Sequence, residues 1–81
     1  MRLRTAFRPS YRTIARELEA SRQKAADNWG FFEDRYDHFE DRGLPVPSST
    51  IQNITHWQKI HADLQDRVQA AFRMARQEER A

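Results

Sequence analysis

The sequence predicts an all-α fold, an antiparallel helical hairpin, on three observations. Apolar residues recur at steps of three, four and seven along two long segments. One glycine- and proline-rich stretch, Gly43 to Pro47, separates those segments. No segment keeps the alternation of period two that a half-buried strand requires. Residues 1–81 are expected to form a single small helical domain.

Residues 1–9 read as a basic N-terminal arm, with Arg2, Arg4 and Arg8 and no acid. No apolar core follows, so the arm is not a secretory signal. Its arginine-rich composition resembles an organelle transit peptide, and the helical period that starts at Tyr11 argues against that.

The first helix is expected over 10–42, as one helix or a helix pair. Ser10 is the expected N-cap, because its hydroxyl can accept an orphan backbone N–H of the first turn. The apolar stripe is Tyr11, Ile14, Leu18, Ala25, Trp29, Phe32, Tyr36 and Phe39. Gly30 either lets a bulky neighbour approach or lets the helix kink or break, since glycine costs about 1 kcal/mol there relative to alanine. Phe32-Glu33-Asp34-Arg35 recurs as Phe39-Glu40-Asp41-Arg42. Seven residues are close to two turns, so both phenylalanines face the same way. Gly43 after Arg42 is a helix stop.

Residues 43–48 form the turn, where Pro45 and Pro47 disfavour helical geometry in the residues before them. The second helix is expected over 49–79. Ser49 and Gln52 have capping-box spacing. Its stripe is Ile54, Trp57, His61, Leu64, Val68, Ala71 and Ala75, widened by Ile51, Ile60 and Phe72. A short link makes the helices antiparallel neighbours. Matching stripe to stripe sets Phe39 on Ile54, Tyr36 on Trp57, Phe32 on His61, Trp29 on Leu64 and Ala25 on Val68.

The chain has 81 residues, 38% hydrophobic and 32% charged, with a mean hydropathy of −0.99. A lone core of this size is marginal. The apolar surface is also wider than one partner helix can cover. A homodimer is therefore expected, most simply as a four-helix bundle, or docking onto another protein. Trp29, Phe31, Phe32 and Trp57 are the candidate partner-binding residues, with Phe31 either the exposed contact or buried by a local kink at Gly30. Aromatic and arginine side chains dominate such interfaces.

Charge is unevenly placed. The N-terminal third is basic, and residues 27–42 hold Asp27, Glu33, Asp34, Asp37, Glu40 and Asp41 against Arg35 and Arg42. Folding brings Arg67, Arg73, Arg76 and Arg80 beside the basic half. The open end is then basic and the loop end acidic and aromatic, which suits head-to-tail pairing of two hairpins. The alternative reading is a nucleic-acid-binding homodimer using Arg2, Arg4, Arg8, Arg12 and Arg16, because Arg8, Arg12 and Arg16 form one ridge. Four acids (Glu17, Glu19, Glu78 and Glu79) interrupt that end.

Catalysis, metal and cofactors are not expected. His38, His56 and His61 form no ligand motif, and Arg35 stands where a Glu-x-x-His pair would need its glutamate. His61 reads as a core histidine hydrogen-bonded within the bundle. No phosphate loop, nucleophile elbow or paired-carboxylate cleft is visible. The chain has no cysteine and no apolar run that could span a bilayer. The expected site of action is the reducing cytoplasm. The expected function is a small regulator or adaptor that docks helix faces on a larger protein.

Overall fold

A computed structural model describes residues 9–80. Two helices, α1 (Tyr11–Asp41) and α2 (Ser48–Arg80), pack side by side along their length. The backbone spans 65 × 28 × 13 Å with a radius of gyration of 18.7 Å. A compact chain of this length would have a radius near 12 Å, as an order of magnitude. The described residues thus form a single layer of two helices.

The helix ends follow from local chemistry. Ser10 has extended backbone angles, φ −70° and ψ 160°, and its hydroxyl accepts from the Thr13 N–H at 3.2 Å. That satisfies one of the four donors a helix N-terminus leaves open. At the other end Gly43 adopts φ +66°. The Leu44 N–H donates to the Phe39 carbonyl at 2.9 Å, and the Gly43 N–H to the Glu40 carbonyl at 3.0 Å. These two bonds make the Schellman closure, which needs a left-handed residue in the glycine position.

One open alternative closes in favour of a single first helix, no bulky neighbour among the described residues approaches Gly30, and the cap of the second helix changes. α1 runs unbroken through Gly30, because flanking turns and contact with α2 outweigh the propensity cost of one glycine. The cap of α2 is not Ser49. The helix starts at Ser48, and the Pro47 carbonyl accepts from Thr50 N–H at 3.0 Å and Ile51 N–H at 3.4 Å. Proline ahead of the first turn has the φ the turn needs and no N–H to leave unpaired.

The seam is lined by small side chains. Ala15, Ala25, Val68, Ala71 and Ala75 are buried, together with Thr50. Alanine at these levels lets the two backbones approach. Trp29, Phe32, Tyr36 and Phe39 of α1 flank this seam half-buried, as do Ile54, Trp57, Leu64 and Phe72 of α2. Complete burial of a large apolar side chain contributes about 1.5–3 kcal/mol. Half-buried ones realise only part of that.

The register differs from the one obtained by matching stripes. His61 lies against Trp29, ring centroids 5.5 Å apart, where matching had put Leu64 opposite Trp29 and His61 opposite Phe32. At the open end Tyr11 and Arg12 meet Glu78 and Glu79. The displacement is nearly one helical turn. Its cause is the loop: α1 ends at Asp41 and α2 begins at Ser48, so a short link holds those two residues level.

Candidate docking surfaces

Three features of the hairpin bring polar or aromatic groups together: a polar cluster in the middle, a charged contact at the open end, and an aromatic edge on α1. In the middle, Arg22 bridges the two helices. Its Nε donates to both carboxylate oxygens of Glu19 at 3.1 Å, and its Nη2 makes a further bond to the same carboxylate. Its Nη1 lies 3.2 Å from Nε2 of His61. A guanidinium has no acceptor, so His61 accepts at Nε2 and carries its proton on Nδ1. The Arg22 hydrogen bond holds the Glu19 carboxyl below the ordinary carboxylate range, and Glu19 raises Arg22 in turn. Beside His61, the Trp29 Nε1–H is buried and donates to no acceptor among the described residues. An unpaired buried donor costs about 1–3 kcal/mol.

His61 is hydrogen-bonded across the hairpin but half-buried rather than in the core, and its partner is Arg22, which sequence reading did not find. The signal was there: Arg22 and Trp29 are seven residues apart on one face of α1, and both reach His61.

At the open end, the α1 N-terminus has no acid in its first turn. The opposite helix supplies the charge. The Tyr11 N–H donates to Glu78 Oε1 at 3.2 Å, and Arg12 pairs with Glu79. Carboxylates there complement the helix dipole and occupy orphan donors. Of the arginines named for a nucleic-acid surface, Arg12 is therefore bound to Glu79 and Arg16 is exposed. Arg2, Arg4 and Arg8 lie outside the described residues.

The aromatic candidates separate into two groups. Trp29, Phe32 and Trp57 are half-buried beside the seam. Trp57 meets His56 edge-on at 5.1 Å. Phe31 is 56% exposed. It stands edge-to-face on Phe32 at 5.1 Å, with the Arg35 guanidinium 5.8 Å from its ring centre. Phe31, Asp34, Arg35, His38 and Phe39 together line a shallow groove made by α1 alone.

Among the described residues no group of three His, Asp or Glu side chains is placed to hold a metal ion. No described helix is long and apolar enough to cross a membrane. The chain matches none of the protein-family models, curated proteins or solved structures compared with it.

Proposed function

We propose that the chain is a small non-enzymatic regulator or adaptor, which pairs with a second copy into a four-helix bundle and docks a helix face onto a larger protein. The observation that supports this reading is the incomplete cover of its aromatic side chains. None of them is buried among the described residues, and Phe31 is exposed by more than half. A second hairpin laid on the first would cover part of the apolar surface that one hairpin leaves half-covered, Tyr36, Ile54 and Phe72 among it. Phe31, on the groove of α1 with Arg35, would remain as the anchor for the larger partner. An aromatic ring paired with an arginine is the composition of an interface hot spot.

The nucleic-acid alternative has less behind it. Glu79 neutralises Arg12, and Glu78 shares that end. Quantitative affinity capture with the parent and with Phe31→Ser tests the proposal. The variant should keep its melting behaviour and lose the partner by at least about tenfold, the hot-spot scale. Binding to duplex DNA or RNA is measured alongside at two salt concentrations. Steeply salt-dependent binding that Arg8→Ala, Arg12→Ala and Arg16→Ala abolish would overturn the adaptor reading in favour of a nucleic-acid surface.

A further inference from the structure

Two grooves on the hairpin carry opposite charge and lie on one side of α2. Near the loop, Ile51, Ile54 and Thr55 of α2 form a notch with Tyr36, Glu33 and Asp37 of α1. Near the open end, Gln69, Phe72, Arg73 and Arg76 line a second groove. Ile51, Ile54 and Thr55 precede Gln69, Phe72 and Arg73 by eighteen positions each. Eighteen residues are five whole turns, so the two sets project from the same face, about 27 Å apart.

We propose that this face binds a second copy of the chain head to tail, with Phe72 of each copy entering the loop-end notch of the other. The inference rests on the self-pairing proposed above and specifies its face, orientation and register. Asp63 is midway between Ile54 and Phe72, and Leu64 is the midpoint of α2. A two-fold axis crossing α2 there sets Phe72 level with Ile54 of the other copy, and the two hairpins overlap along their full length. Every contact then occurs twice, as a two-fold interface requires.

Charge selects the same arrangement. The notch pairs an apolar floor, Ile51, Ile54 and Tyr36, with the carboxylates Glu33 and Asp37. The groove it receives carries Phe72 flanked by Arg73 and Arg76 and no acid. Ile51 is 47% exposed and Phe72 half-buried in the single hairpin, so apolar surface remains for the second copy to cover. Head-to-head pairing would instead set arginine against arginine and carboxylate against carboxylate. Exposed ion pairs contribute little strength but set orientation.

Sedimentation equilibrium of the full chain, joined to cross-linking, tests this. The chain has no cysteine, so Gln58→Cys and Gln69→Cys, on the same face, report orientation without background. The parent should be a dimer that weakens with salt. Mixed Gln58→Cys and Gln69→Cys chains, one of them carrying a mass tag, should join 58 to 69 through a short bismaleimide. Phe72→Glu should weaken the dimer by at least about tenfold, and so should Arg73→Glu with Arg76→Glu, where both side chains are exposed and the fold is not at stake. A dimer joined 58 to 58, or one indifferent to all three substitutions, would overturn this inference and leave the self-pairing intact. A parent chain that is monomeric at every concentration would overturn both.

Discussion

Gly43→Ala isolates the closure of the hairpin. Gly43 sits at φ +66°, and a Cβ added there would meet nothing within 4 Å. Space therefore plays no part, and the effect is conformational alone. An L-residue in the left-handed region costs about 1–2 kcal/mol. Replacing glycine also restricts the unfolded chain, which returns about 0.4–1 kcal/mol. The net loss is about 1 kcal/mol, or about 4–8 °C in melting temperature for a chain of this size. Thermal melts followed by circular dichroism at 222 nm read the shift, and a urea titration should move its midpoint at constant slope. Gly43→Asn is the control, because asparagine tolerates the left-handed region better than alanine. It should fall between the parent and Gly43→Ala. If alanine melts with the parent, or asparagine melts below alanine, the Schellman closure does not hold the loop and the reasoning fails.

Other substitutions probe the helices and their seam. Gly30→Ala, where an added Cβ meets nothing within 4 Å, should stabilise the chain by about 1 kcal/mol at concentrations below self-association. A lower melting temperature would place a break in α1. Ala25→Leu, at a position 1% exposed, should force the helices apart and cost about 1–3 kcal/mol in a denaturant titration; parental stability would mean that the seam is loose. Glu19 contributes through a carboxyl whose folded-state pKa is lowered, chiefly by the Arg22 hydrogen bond. That contribution is complete above the unfolded-state value near pH 4.3 and is lost as pH falls through the lower folded value. Melting temperature between pH 5 and pH 3 should therefore fall less in Glu19→Gln than in the parent, and equal slopes would remove Glu19 from the account.

Local chemistry was legible in the residues themselves. Ser10 caps α1, Gly43 ends it, and Pro45 and Pro47 keep the link from helix. Each is a property of a few neighbouring residues, so no tertiary contact is needed to read it. The stripes also identified which face of each helix turns inward, since Ala25, Val68, Ala71 and Ala75 are all buried. The exposure of Phe31 follows from its place off the stripe.

Register, core size and cross-helix partners were decided by the tertiary structure. Residue types alone matched Trp29 to Leu64, whereas the short loop holds Asp41 level with Ser48 and brings His61 to Trp29. A stripe pattern records which face is apolar and not how far one helix slides along another. Arg22 reaches His61, and Glu78 and Glu79 reach the start of α1, only once that slide is set. A single layer of two helices can enclose alanines and cannot enclose tryptophans, so the large aromatics remain half-covered. Periodicity and the short link with Gly43, Pro45 and Pro47 determined that this chain is a hairpin with an apolar stripe. The geometry of two packed cylinders decided how much of that stripe stays uncovered.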